Sequence, residues 1–247
     1  MLRTILILGG SGEALALAAA LAGWPGLRVI TSLAGRTGQP RLPAGEVRIG
    51  GFGGASGLAA YLRAAGIAAV IDATHPFAAR MGWHAAEACA AAGLPLLRLE
   101  RPAWARREGD LWDDVDDWDA AVTLLGHRSR RVLLAVGRQD LAPFTALTDI
   151  WFLIRSVEAP QPWPPFAKAL SLLAKGPFSY DEERALLLEH GIDTLVCKNS
   201  GGPTGAKLDA ARDLGLRVVM RRRPSRPETP RASSLDQALA WEGLGLS

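Results

Sequence analysis

The residues of this chain that could do chemistry gather where apolar runs end. The run Thr4–Leu8 stops at Gly9-Gly10-Ser11-Gly12-Glu13, and the chain resumes as an alanine-rich segment, which reads as strand, turn and helix. Such a turn leaves backbone N–H groups and the positive end of a helix dipole facing any anion that docks there. Gly10 and Gly12 match the first two glycines of G-x-G-x-x-G, while Leu15 stands where the third belongs. A tight turn that holds nothing would give the same pattern. The next run ends at Thr31 and Ser32, with Arg36 just beyond and no carboxylate. An NAD-selective unit presents Asp or Glu there for the ribose 2′-hydroxyl, whereas Arg36 could pair with a 2′-phosphate, so the pattern favours NADP(H) over a plain surface arginine.

Two further loops belong to the same set. Gly50-Gly51-Phe52-Gly53-Gly54 implies a backbone that approaches something closely or adopts positive φ, either at a pyrophosphate and ribose or in a structural strand-to-helix turn. Asp72-Ala73-Thr74-His75-Pro76 places an imidazole where it could hydrogen-bond substrate or cofactor or move a proton, or serve as a structural histidine at a helix start. Farther on come Gly137-Arg138-Gln139, Arg155-Ser156-Val157-Glu158, Lys175-Gly176-Pro177-Phe178 and Lys198-Asn199-Ser200-Gly201-Gly202. Each carries a cation, which suits a ligand with several carboxylates or phosphates, although strand ends are commonly polar.

These loops need elements that bring them together. Candidate strands are Thr4–Leu8, Arg28–Leu33, Glu46–Ile49, Ala69–Asp72 and Pro95–Leu99, interleaved with candidate helices Glu13–Ala22, Ser56–Ala65 and Phe77–Ala92. Strand–helix alternation predicts a parallel sheet covered on both faces, with all carboxyl ends on one edge, where ligands bind. The pattern breaks between Arg101 and Asp119, where the acidic run Asp113, Asp114, Asp116 and Asp117 reads as a linker whose carboxylates face water and begin the next helix. It then resumes with strands Arg131–Val136, Trp151–Arg155, Ala169–Leu173, Thr194–Lys198 and Arg217–Met220. The helices among them are Gln139–Leu147, one opened by the capping box Ser179–Glu182, and Ala206–Leu214. The expectation is an α/β chain of two Rossmann-like units, parallel sheets flanked by helices, with an active-site cleft between them. The first unit is expected over residues 1–100, a connecting segment over 101–130, and a second, substrate-side unit over 131–247, whose C-terminal helix could return to the first. No sequence repeat relates the halves.

Composition narrows the class. The 247 residues are 49% apolar and 21% charged, ordinary for a globular protein, and no apolar run is long enough to span a bilayer. With no basic, apolar leader and two isolated cysteines, Cys89 and Cys197, the expectation is a cytoplasmic protein with reduced thiols. His84, His127 and His190 look structural, no two histidines have metal spacing, and no metal site is expected. The arginine clusters at 128–131 and 221–223 admit nucleic acid as a partner. The absence of a recognisable motif or aromatic stacking strip argues against it, and against a membrane partner there is no suitable segment. The sequence does not define an oligomeric state and is compatible with a monomer.

At these loops the sequence resembles the precorrin-6A reductase family of cobalamin biosynthesis. The matching stretches are Ile7–Glu13, Ser32–Arg36, Ile49–Gly54, Ile71-Asp72-Ala73-Thr74-His75-Pro76-Phe77-Ala78, Leu97–Trp104, Lys175–Phe178 and Lys198–Gly202, in order along nearly the whole chain. The family often has Thr where Ser11 stands here. The resemblance implies NADPH-dependent reduction of a carbon–carbon double bond in a tetrapyrrole-derived ring edged with acetate and propionate groups. On that reading Gly9, Gly10, Ser11, Gly12, Glu13, Ser32, Arg36, Gly51, Phe52, Gly53, Gly54 and Thr74 would hold NADPH. Arg138, Lys175, Lys198, Asn199, Ser200 and Gly201 would meet the polycarboxylate substrate, and His75 or Lys198 would supply any protein acid. The ring's own delocalisation activates the acceptor carbon, so positioning is the enzyme's main task. Other readings stay open: an NADP-dependent reductase of another polyanionic substrate, or a non-catalytic NADP(H)-sensing module. A short-chain dehydrogenase is opposed by Tyr61 and Tyr180, neither followed by Lys four residues on, and S-adenosylmethionine chemistry by Arg36. Metal-free and cobalt-containing substrates are not separated by the sequence.

Overall fold

In the computed structural model, which describes residues 2–35 and 41–245, the chain divides into two units. The first comprises Met1–Pro102 and Pro224–Ser247, and the second Ala103–Arg223. In the first unit β1 (Arg3–Leu8), α1 (Gly12–Ala22), β2 (Leu27–Leu33), β3 (Glu46–Ile49), α2 (Ala55–Ala64), β4 (Ile67–Asp72), α3 (Ala79–Ala92) and β5 (Leu96–Leu99) follow one another. The second unit contains β6 (Leu111–Val115), α4 (Trp118–Arg128), β7 (Arg131–Ala135), β8 (Trp151–Ser156), β9 (Ala169–Leu173), α5 (Tyr180–Glu189), β10 (Thr194–Lys198), α6 (Ala206–Asp213) and β11 (Arg217–Arg221). The chain then returns to the first unit for β12 (Arg231–Ala232) and α7 (Leu235–Leu239).

Each unit holds a six-stranded sheet, in the orders β12-β5-β4-β1-β2-β3 and β6-β11-β10-β7-β8-β9. Every pairing is parallel, for instance Ile5 opposite Val29 and Leu195 opposite Leu133. The two sheets therefore share one strand order, a likeness the sequence did not display. The order reverses at β1 in the first sheet and at β7 in the second, the place where α/β sheets open a crevice for ligands. The sixth strand of each sheet comes from across the junction: β6 follows β5 in sequence yet pairs with β11, and β12 follows β11 yet pairs with β5.

Alternation along β1 shows how the sheet is covered. Ile5 and Ile7 pack on one face with Leu17 and Leu21 of α1 and with Ala238 of α7, while Leu6 and Leu8 pack on the other with Leu58 and Leu62 of α2 and Ala85 of α3. In the second unit Val132 and Leu134 of β7 meet α4 through Ala121 and Leu125, and Leu133 meets α5 and α6 through Leu187 and Leu208. A strand buried on both faces is apolar throughout, which is why these strands read so clearly in the sequence.

The expected boundaries shift in three places. Residues 101–130 do not form a connector: β6 and α4 lie there and belong to the second unit. Their acidic run is answered by arginines, Asp113 by Arg217 at 2.7 Å and Asp116 by Arg222 at 3.0 Å, while Asp117 caps α4. The second unit ends at Arg223 rather than at the end of the chain, because the segment carrying β12 and α7 completes the first sheet. The helix expected over 139–147 is two short 3-10 turns, Arg138–Asp140 and Ala142–Ala146, since Pro143 lacks the N–H that a continuing α-helix needs.

Candidate functional site

Four loops leave the carboxyl edge of the first sheet. The Gly9 N–H donates to the Ser32 carbonyl at 2.9 Å, tying the first loop to the end of β2. Ser11 caps α1 by accepting from the Ala14 N–H at 3.1 Å and donates its hydroxyl proton to the Ala73 carbonyl at 2.7 Å, which ties the first loop to the fourth. The first N–H groups of a helix have no partner within it, so those of Gly12 and Glu13 are available to an anion. The Glu13 carboxylate is paired with Arg101 at 2.7 Å, which neutralises a charge that would otherwise oppose phosphate. Gly10 at φ 109° and Gly54 at φ 96° hold backbone conformations that side chains resist. A Cβ added at Gly10, Gly12, Gly51, Gly53 or Gly54 would meet nothing within 4 Å. These two loops are therefore open cradles, not turns closed by packing, and the residues present fit a dinucleotide's phosphates and ribose.

The third loop is held by Arg48, which the sequence reading passed over. Its guanidinium donates to the Gly50 carbonyl at 2.6 Å, to the Gly51 carbonyl at 2.7 Å and to the Ser32 hydroxyl at 3.4 Å, and lies 3.9 Å from the centre of the Phe52 ring. Ser32 and Arg48 are register partners on β2 and β3. Arg36, the cation expected at this place, falls outside the described residues.

The fourth loop, carrying Thr74 and His75, is organised by a buried ion pair. Asp72 accepts from the Thr74 backbone at 3.1 Å and from its hydroxyl at 2.6 Å, and its other oxygen accepts a hydrogen bond from Arg226. Arg226 also donates to the His75 and Pro76 carbonyls at 3.4 and 3.3 Å. Its side chain is 6% exposed and that of Asp72 4%. The Phe77 N–H donates to His75 Nδ1 at 3.2 Å, which places the imidazole proton on Nε2. In that tautomer the ring donates through Nε2. Arg226 lies about 150 residues away in a run of arginines and prolines, and nothing local in the sequence marks it.

In the second unit the carboxyl edge frames a cavity of about 280 Å³, with Gly137, Ser156, Gly176, Lys198 and Ser200 among its walls. Lys198 pairs with Asp140 at 2.5 Å, and Asp140 also accepts from the Trp118 indole at 2.8 Å. Arg155 is paired with Glu183 at 2.9 Å and lies 4.3 Å from the centre of the Phe178 ring. Cys197, buried among the cavity's walls, has its thiol pKa pushed up to about 11, chiefly by desolvation. The Asn199 side chain accepts from the Trp104 N–H at 2.8 Å and donates to the Trp104 carbonyl at 3.0 Å, which fixes the loop's shape and leaves its second amide proton beyond those two bonds. Arg223 fixes the same loop through the Asn199 and Ser200 carbonyls at 2.9 and 3.1 Å, next to Gly201. Arg138 pairs with Glu158 at 2.9 Å, and Lys175 stands exposed just before Gly176.

The arginine clusters are largely spent on the protein itself. Arg131 donates to the His190 carbonyl and stacks on Trp151, Arg221 approaches Asp140, and Arg222 pairs with Asp116. Among the described residues no group of His, Cys, Asp and Glu could hold a metal ion, and no helix is long and apolar enough to cross a membrane.

Against this geometry stand the comparisons with known proteins. A family model described as precorrin-6x reductase CbiJ/CobK matches residues 4–242. The precorrin-6A reductase of Rhodococcus erythropolis is 51% identical over 97% of this chain and 97% of its own length. The cobalt-precorrin-6A reductase of Priestia megaterium is 28% identical over 64% of this chain and 66% of its own length. The solved structure of CobK precorrin-6A reductase superimposes with a TM-score of 0.91 at 41% identity, covering 98% of this chain and 96% of that one.

Proposed function

The chain belongs to the precorrin-6x reductase family, and we propose on that premise that it reduces precorrin-6A with NADPH. NADPH, when bound, supplies a hydride to one carbon–carbon double bond of the macrocycle, and a proton completes the addition. The observation that carries the reading is the pair of open glycine cradles, at Gly10–Glu13 and Gly51–Gly54, beside the end of β2. In this assignment the N–H groups of Gly12 and Glu13 take the pyrophosphate, Ser32 and Arg36 face the adenosine ribose and its phosphate, and Thr74 lines the fourth loop. His75 offers its Nε2–H as a hydrogen-bond donor, or in its doubly protonated form gives the proton that the reduced ring takes up and returns to the neutral imidazole.

The second unit's edge is assigned to the substrate. Its cavity, about 280 Å³, lies just below the range of roughly 300–1,000 Å³ for small-molecule pockets, which suits acetate and propionate arms and not a whole macrocycle. Lys198 and Lys175 meet those arms as cations, Ser200 and Gly201 through loop hydrogen bonds, and Arg138 after exchanging Glu158 for a substrate carboxylate. The substrate favoured is the metal-free ring, since the relative named for it is 51% identical and the relative named for the cobalt form 28%.

The test follows NADPH oxidation at its near-ultraviolet band with precorrin-6A supplied. Wild type should turn over, and Arg36→Ala should raise the NADPH concentration required while leaving substrate saturation close to wild type. Cofactor binding without substrate-dependent oxidation, for the metal-free and cobalt rings alike, would overturn the reductase assignment.

A further inference from the structure

We infer that Arg48 is a reader of the 2′-phosphate, so that preference for NADPH over NADH is set at the end of β3 as well as by Arg36. The inference rests on the NADPH reading above and deepens it. Arg48 is the register partner of Ser32, the strand-end position where an NAD-selective unit would carry its carboxylate. Its guanidinium reaches the Ser32 hydroxyl at 3.4 Å, so the positive charge stands where the ribose 2′ substituent is read.

Three properties separate Arg48 from an ordinary surface arginine. Its position is fixed, by the Gly50 and Gly51 carbonyls at 2.6 and 2.7 Å and by the Phe52 ring beneath it. Its charge is uncompensated: the three acceptors it touches are two carbonyls and a hydroxyl, and among the described residues no carboxylate pairs with it. By contrast Arg28, on the neighbouring strand, is locked to Glu46. Finally, it retains donors. A guanidinium has five N–H protons, and the three hydrogen bonds described leave the Nε proton and one terminal proton for a ligand. A pre-placed guanidinium with spare donors and no counter-ion is what bidentate phosphate recognition requires. Because the same side chain clamps the Gly50–Gly51 turn, a 2′-phosphate bound to it would also steady the third loop.

The experiment compares binding of NADPH, NADH and 2′,5′-ADP to wild type, Arg48→Gln and Arg48→Lys, by calorimetry without substrate. Gln keeps a donor for the loop carbonyls and removes the charge, whereas Lys keeps the charge and loses the fork. The expected result is a loss of about 10- to 100-fold in NADPH and 2′,5′-ADP affinity for Arg48→Gln, with NADH changed less than about 3-fold. Arg48→Lys should fall between the two proteins. Loss of NADH affinity to the same degree as NADPH would reduce Arg48 to a loop clamp and overturn the inference, as would an unchanged ratio of the two. A wild type that binds NADPH no better than NADH fails the NADPH reading itself, a distinct outcome.

Discussion

Asp72 and Arg226 form a buried pair on which the fourth loop depends. Each is nearly excluded from water, so removing one leaves the other charge unsatisfied where the dielectric is low. Arg226→Met should destabilise the first unit by about 3–5 kcal/mol in urea unfolding. The double variant with Asp72→Asn should lose less than the sum of the two single changes, because neither orphaned charge remains. If the single and double losses simply add, the pair is not the coupling agent. The same residues show what was hard to read in the sequence. Asp72, Thr74 and His75 stand in one recognisable stretch, whereas Arg226 is an arginine among arginines whose role exists only once the C-terminal segment has returned. Arg48 was hidden differently: in Glu46-Val47-Arg48-Ile49 it looks like any polar position on an edge strand, and only the register with Ser32 gives it meaning.

Ser11 links elements in the way Arg226 links charges. Its hydroxyl caps α1 and also donates to the Ala73 carbonyl, so one oxygen joins the first and fourth loops. Ser11→Ala should cost about 1–2 kcal/mol. Its signature should be faster hydrogen exchange at residues 9–14 and 73–77 together; faster exchange in the first loop alone would mean the tie to Ala73 carries little. At this scale the sequence was most legible where strands are buried on both faces, as β1, β4, β7 and β10 are. It was least legible where charge concealed pattern. Leu111–Val115 presents two acids in five residues, yet pairs in parallel with β11, because Arg217 and Arg106 answer those acids from neighbouring segments. The two-residue β12 is too short for any period to show, and its place is fixed by the backbone bond from the Glu100 N–H to the Ala232 carbonyl at 2.9 Å. The glycine loops were visible as anomalies, but whether they were open or closed by packing needed the structure.

The molecule as a whole carries one thiol in each unit. Burial pushes Cys89 up to about 12 and Cys197 up to about 11, against an ordinary value of 9.0. A raised thiol pKa favours the neutral form on folding, so this contribution to stability is fully present below about pH 9 and fades as pH climbs through 11 to 12. Alkylation of the native protein at pH 8 should accordingly be slow at both positions and become fast only when the surrounding unit unfolds. Peptide mapping along a urea series would read the two units separately, and rapid modification of either cysteine without denaturant would contradict the buried cores described above. The interrupted connectivity has one more consequence, in the order of synthesis. Ala103–Arg223 leaves the ribosome as a continuous stretch, able to close its sheet unaided. The earlier Met1–Pro102 must wait, with Asp72 unanswered and β5 uncovered, until β12 and Arg226 follow at the far end. The nascent chain therefore reverses the usual N-terminal-first order of domain folding, and the carboxyl-edge loops of the first sheet take final shape only after Arg226 and β12 have been made.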